Sequence, residues 1–368
     1  MTNDPRLTAL AASLPATVPF VGPEAQERAA NRPFTARLGA NELGFGPSAR
    51  AITAMQDASQ DAWMYADPES HDLRHAIAAH HGITPYHIIV GEGIDTLLGL
   101  LVRLLITQGD AVVSSSGAYP TFNYHVTGFG GVLHMVPYTA DHEDPAHLAA
   151  KAHEVAAKLV YIANPDNPMG TYHKGPEIER LVAAIPDDAL LILDEAYIDF
   201  APDDALPKLA ANDPRVIRMR TFSKAYGLAG ARVGYAIGHP TLISAFDRVR
   251  NHFGMSRISQ AGALAALADQ DYLRKTVANV AASRARIAQI AADNGLTCIP
   301  SATNFVAIDC GQDGAFARKL VTALGALGIF VRMPFVAPQD RCIRVSCGPA
   351  PEMALFAQAL PQALAQIR

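Results

Sequence analysis

Seven short apolar runs recur between Ile88 and Gly238, separated by helical patterns. They extend from Ile88 to Val90, Ala111 to Val113, Val132 to Val136, Leu159 to Ala163, Ala189 to Leu193, Val216 to Met219 and Val233 to Ile237. Each is continuous rather than alternating, the pattern of strands covered on both faces. Alternation of such strands with helices specifies an α/β architecture, a mainly parallel, doubly wound seven-stranded sheet.

After Pro240 the pattern turns helical, with an Ala-rich stretch from Ala261 to Ala268, and stops at Asn294-Gly295. Three strand-like segments follow, Asn304 to Asp309, Ile329 to Arg332 and Cys342 to Ser346, with helical patterns between and after them. This reads as a smaller α+β domain, against which the proline-dotted N-terminal segment is expected to pack. A chain of 368 residues, 50% of them apolar, suits about two domains. The expected division is a large domain over 46–264 and a small one made of 1–45 and 265–368.

Charged residues make up 18% of the chain and the net charge is −5, with no basic stripe, so nucleic acid has no electrostatic footprint. Cys298, Cys310, Cys342 and Cys347 form no C-x-x-C pair and read as free thiols in a reducing compartment rather than a metal site. Met1 to Leu14 lacks a basic segment followed by an apolar run. No stretch approaches the ~20 apolar residues of a membrane span. The expectation is a cytoplasmic chain with no membrane partner.

The chemistry sits at strand ends, where open α/β sheets bind ligands. Ser223-Lys224 follows the run that ends near Arg220, and Gly227, Gly230, Arg232 and Gly234 come next. A lysine among small residues can be desolvated, which favours the neutral, nucleophilic amine. Arg232 offers a planar fork for a phosphate. Asp194-Glu195-Ala196-Tyr197 ends another run. A carboxylate there either caps the next helix or faces a ring nitrogen and keeps it protonated, with Tyr197 donating to a ring oxygen. Asn164-Pro165-Asp166-Asn167-Pro168-Met169-Gly170 ends a third run; its two Asn-Pro pairs make a rigid turn that can aim the Asn167 amide at a ligand.

With Asn167, Asp194 and Lys224 at three strand ends in this order, the chain resembles the fold-type I, aspartate-aminotransferase-like enzymes that use pyridoxal 5'-phosphate (PLP). Among them it is most similar to histidinol-phosphate aminotransferases. The resemblance covers nearly the whole length, and N-P-x-N-P-x-G and the lysine segment are its most specific motifs. It implies that Lys224 forms a Schiff base with PLP and moves a proton, that Asp194 pairs with the pyridinium, and that Tyr197 and Asn167 bond the ring oxygen. Gly91-Glu92-Gly93-Ile94-Asp95 matches the phosphate cup ahead of a helix, with Gly93, Ile94 and Asp95 at the helix N-terminus, and Ser223 and Arg232 complete it. Tyr119 matches the aromatic that stacks on the pyridine. Tyr65 matches a tyrosine that crosses a homodimer interface to the partner's cofactor. Arg344 matches the arginine that grips the substrate's acidic group; Arg332 is a second candidate, and Asn41 matches the segment that closes over substrate.

Three departures concern the substrate. The family's Pro-Tyr pair, whose hydroxyl helps hold a substrate phosphate, reads Pro19-Phe20. Asn-Glu-Asn-Pro reads Asn41-Glu42-Leu43-Gly44, and a Pro-rich turn is replaced by Asn251 to Arg257, which places His252 and Arg257 as candidates for an altered pocket. The resemblance therefore implies transfer of an amino group from an amino acid or histidinol phosphate to a 2-oxo acid such as 2-oxoglutarate. A decarboxylase or lyase on the same fold is the alternative. A regulator of this fold would need a DNA-binding domain ahead of residue 20, and the acidic charge argues against that reading.

Overall fold

The seven runs build one sheet: β1 (Ile88–Gly91), β2 (Ala111–Ser115), β3 (Val132–Val136), β4 (Leu159–Ala163), β5 (Leu190–Asp194), β6 (Val216–Thr221) and β7 (Gly234–Ile237). The computed structural model describes residues 6–16 and 20–367; Pro19 of the Pro19-Phe20 pair and Met1 to Pro5 of the N-terminal segment lie outside them. Strand order is β1-β7-β6-β5-β4-β2-β3, and only β7 runs against its neighbours. Every residue of β4 and β5 is buried, which is why the sequence shows them as unbroken apolar runs. Alternate residues serve opposite faces: Tyr161 and Ile192 pack with Leu97, Leu101 and Phe122, whereas Val160, Leu191 and Leu193 pack with Leu148 and Ile178.

A second sheet, of β8 (Thr297–Cys298), β9 (Phe305–Asp309) and β10 (Cys342–Ser346), is antiparallel in the order β10-β9-β8. The strand-like run expected over Ile329 to Arg332 is shorter and lies outside this sheet: Ile329–Phe330 pairs in parallel with Ala36–Arg37, and Arg332 makes an isolated bridge to Arg344. Pro334 follows closely and has no N–H with which to extend a ladder. The pairing ties the N-terminal segment down: Leu38 N donates to Phe330 O at 2.7 Å and Ser346 N donates to Leu38 O at 2.7 Å.

The helical stretch after Pro240 is broken. Helix Arg257–Ala268 packs Ala263, Ala266 and Leu267 against Ala51, Leu73, Val90 and Tyr235. Asp269 then caps helix Gln270–Asp293, whose Val280, Ile287 and Ile290 pack with Phe305, Leu320 and Phe356. Gly295, at φ +72°, ends it in the left-handed region that glycine tolerates. Among the described residues no helix is long and apolar enough to cross a membrane.

Candidate active site

A cavity of about 880 Å³ opens over the carboxyl ends of β4, β5 and β6. Its floor holds Asp194, Tyr197, Ser223 and Lys224; Arg344 closes it from the second sheet, Asn41 from the N-terminal segment, and Arg332 from just past Ile329–Phe330. Of the residues singled out from sequence, Phe20, Asn41, Ile94, Asp95, Tyr119, Asn167, Asp194, Tyr197, Ser223, Lys224, Arg232, Arg332 and Arg344 all line it.

Lys224 lies three residues past the end of β6. Burial, with Arg344 beside it, pulls its ammonium down to about 8, so the neutral amine is accessible near physiological pH. Its Nζ donates to Asn41 O at 3.4 Å and lies 5.6 Å from the centre of the Tyr197 ring. Asp194 ends β5 and is 5% exposed. Burial raises its carboxyl to about 6, against hydrogen bonds that favour the anion: Tyr161 Oη donates to Oδ2 at 2.7 Å and Ala196 N donates to Oδ1 at 3.0 Å. Burial pushes the Tyr197 phenol up to about 12. Its oxygen accepts from Asn41 Nδ2 at 3.0 Å, and Asn41 itself sits at φ +56°.

At one end of the cavity Gly93, at φ +86°, caps helix Ile94–Leu105. A Cβ at Gly93 would stand 2.5 Å from Arg232 Nη2, so glycine is required both for the turn and for the close approach of the guanidinium. Arg232 Nη1 donates to Ser223 Oγ at 3.3 Å, and Nη2 lies 3.6 Å from Asp95 Oδ2. Helix N–H groups, a hydroxyl and a guanidinium converge here as an anion cradle.

At the other end are two arginines that, among the described residues, have no carboxylate on their hydrogen-bonding atoms. Arg344 Nη1 donates to Asn167 Oδ1 at 2.5 Å and Nη2 to Gly39 O at 3.2 Å; its buried Nε has no partner. Burial draws its guanidinium down to about 10. Arg332 Nη2 donates to Val21 O at 2.9 Å, and its guanidinium lies 5.3 Å from the centre of the Phe20 ring. Phe20 in turn stacks on Tyr119 at 6.2 Å. A buried cation held by neutral groups is set to receive an anion.

The class I and II aminotransferase family matches residues 35–360. The chain belongs to that family. This aminotransferase is 35% identical over 335 residues to histidinol-phosphate aminotransferase 1 of Mesorhizobium japonicum, covering 89% of this chain and 90% of that one. It is 34% identical to an aromatic amino acid aminotransferase of Mycobacterium avium over 86% of this chain and 92% of that one. Among solved structures, histidinol-phosphate aminotransferase from Sinorhizobium meliloti in complex with pyridoxal-5'-phosphate superposes with a TM-score of 0.96 at 54% identity, over 99% of this chain and 98% of that one. The expected fold-type I architecture and the expected PLP dependence both go with this membership. The site suits PLP on its own evidence: an anion cradle, a desolvated amine and a buried carboxylate with no ion-pair partner share one cavity.

Tyr65, expected to reach a partner's cofactor rather than this chain's, is 76% exposed and stacks on Phe253 at 4.7 Å. His252 and Arg257, the candidates for an altered pocket, do not line the cavity; Arg257 Nη2 donates to Tyr65 O at 2.8 Å. Sequence reasoning missed Tyr161 and Asn304, whose Nδ2 donates to Asn41 O at 3.0 Å. The one available signal was a tyrosine inside an otherwise aliphatic run, since a buried phenol needs a partner.

Proposed function

We propose that this aminotransferase moves an amino group from histidinol phosphate or an amino acid to a 2-oxo acid such as 2-oxoglutarate, with Lys224 as the residue that engages PLP. The observation that carries this reading is the arrangement along one cavity: amine at the floor, anion cradle at one end, two arginines free of carboxylates at the other. PLP, when bound, supplies an aldehyde for amine condensation and a pyridinium that takes up electron density. Gly93, Ile94, Asp95, Ser223 and Arg232 would hold its phosphate, and Asp194 would keep the ring nitrogen protonated. Tyr197 and Asn167 would bond the ring oxygen, and Tyr119 would stack on the ring. Lys224 Nζ is the atom that takes a proton from the substrate carbon and returns it. Asn41, bonded to the Tyr197 oxygen, closes over the substrate.

Donor and acceptor must use the same site in turn. A 2-oxo acid brings a carboxylate beside the reacting carbon, and histidinol phosphate brings a phosphate near its own. Arg344, with Arg332 adjacent, answers both. Phe20 and Tyr119 extend an aromatic wall from Arg332, which also favours an aromatic amino donor.

Tyr65, exposed in one chain, is assigned to a partner's cofactor in a homodimer. The large unit is taken to run from residue 46 to the cap at Asp269, because the division expected at 264 falls inside helix Arg257–Ala268. The four free cysteines suit the cytoplasm. The deciding experiment incubates the purified holoenzyme with histidinol phosphate, phenylalanine or tyrosine and with 2-oxoglutarate. Glutamate formed with parallel initial-velocity lines supports the reading. Carbon dioxide or ammonia without glutamate, the decarboxylase or lyase outcome, overturns it.

A further inference from the structure

Tyr161 lies at the centre of β4, and its backbone registers with Ile192 on β5. Ala163 registers with Asp194, so Tyr161 and Asp194 are diagonal neighbours on the cavity face of two parallel strands. The Tyr161 ring is fully buried and stacks on Phe122 at 4.9 Å with 14° between planes. That stack leaves the hydroxyl one direction, and it donates to Asp194 Oδ2 at 2.7 Å. Ala196 N takes the other oxygen. Each carboxylate oxygen is therefore held by one donor, from its own strand end on one side and from β4 on the other, and the carboxylate cannot rotate without losing a buried hydrogen bond.

We propose that Tyr161 is a positioning residue: through Asp194 it fixes the carboxylate that faces the cofactor's ring nitrogen and sets how far that carboxylate draws the ring proton. The inference rests on the reading of Asp194 given above. Burial and the Asp194 charge both hold the Tyr161 phenol well above its ordinary value, so it stays a donor at any working pH. Burial raises the Asp194 carboxyl, and the Tyr161 hydrogen bond opposes that rise. Without the hydroxyl, Asp194 is more basic and pulls the ring proton toward itself. The ring then carries less positive charge.

The test compares the affinity of apo-proteins for PLP and for 1-deaza-PLP, in which a carbon replaces the ring nitrogen. Tyr161→Phe is expected to weaken PLP about tenfold and to change the deaza analogue by less than about twofold. With PLP bound, the pH midpoint of the visible absorbance band is expected to rise by about one unit, because a less positive ring repels the neighbouring proton less. Tyr161→Leu, which also lacks the hydroxyl, gives the same comparison if Tyr161→Phe folds poorly. Phe122→Leu disturbs the stack but keeps the hydroxyl, and is expected to leave the PLP-to-deaza ratio unchanged. Equal losses for both ligands in Tyr161→Phe, or none, overturn the proposal, provided Asp194→Ala still separates the two ligands. If Asp194→Ala does not separate them, the role of Asp194 itself falls, and this inference with it.

Discussion

Arg344 on β10 donates from Nη1 to Asn167 Oδ1 at 2.5 Å, joining the second sheet to the turn after β4 across 177 residues of sequence. The same guanidinium that is proposed to receive the substrate's anion thus leans on the amide proposed to meet the cofactor ring. Its Nε is buried and unpartnered, so the neutral groups around it do not fully satisfy this guanidinium. Lysine cannot reproduce a fork that bonds Asn167 and a carboxylate together. Arg344→Lys is expected to raise KM for 2-oxoglutarate roughly 10- to 100-fold, with PLP affinity changed far less. Steady-state kinetics beside cofactor titration checks this; an unchanged KM would falsify the assignment.

If Lys224 engages PLP as proposed, capture by the apo-protein requires its neutral amine, and its ammonium is drawn down to about 8 by burial and by Arg344. The sign is fixed: a group whose folded value lies below its usual one loses its proton early as pH rises. The rate at which the visible band appears should climb about tenfold per unit below that value and level off above it. Stopped-flow mixing across pH 6 to 10 reads the midpoint. A midpoint near that of an ordinary lysine would mean that Lys224 is not desolvated. Lys224→Ala should bind PLP without forming the covalent band.

Two buried glutamates are expected to respond in opposite ways. Glu195 is raised by burial but held down overall by Arg220 and Arg218, which it binds at 2.8 Å each. Glu195→Gln leaves two guanidinium groups short of their counter-charge and should cost about 3–5 kcal/mol. Among the described residues Glu143 has no arginine or lysine partner; one oxygen accepts from Ala163 N at 2.8 Å, and the Ser115 hydroxyl lies beside the carboxyl. Burial and the nearby Asp166 charge raise it well above its usual value, which favours the neutral acid. Glu143→Gln keeps the shape of that neutral form and should cost within about 1 kcal/mol. Denaturant unfolding of the two variants measures the contrast; similar losses would refute it.

What the sequence made legible follows from what burial does to it. Strands β4 and β5 are covered on both faces and so appear as apolar runs with no competing pattern. Lys224, Asp194 and Asn167 were readable because each ends such a run. Partnership was not readable. Ile329–Phe330 looked like a strand and is one, but nothing local points to Ala36–Arg37 as its neighbour. Thr297–Cys298, polar and two residues long, gave no periodic signal at all. The cavity-facing direction of Arg344 depends on the β9 register, Ala307 opposite Arg344, which alternation alone leaves open. Tyr161 was hidden for the converse reason: amid Leu159, Val160 and Ile162 a tyrosine looks like packing, and only the neighbouring strand shows what its hydroxyl holds.

Tyr65 offers a test of assembly. If it completes the partner's site, a Tyr65→Ala chain carries a working Lys224 but cannot serve its neighbour, and a Lys224→Ala chain is the reverse. Random mixing makes half of the dimers hybrid, each with one complete site, so activity should recover to about a quarter of wild type. Activity of the mixture that stays at the mean of the two parents would show that Tyr65 acts within its own chain or not at all.

We propose that Phe20 limits how well a phosphorylated donor is held. Its ring lies against the Arg332 guanidinium and on Tyr119, so a para-hydroxyl added there stays in the cavity that both residues line. A hydrogen bond to a charged phosphate is worth roughly 1.5–3 kcal/mol. Phe20→Tyr should therefore lower KM for histidinol phosphate about 10-fold or more, while leaving KM for phenylalanine nearly unchanged because that donor has no phosphate to bond. Comparing the two donors under one acceptor isolates the effect. Equal improvement for both would indicate that the ring's packing, rather than its missing hydroxyl, limits the natural enzyme.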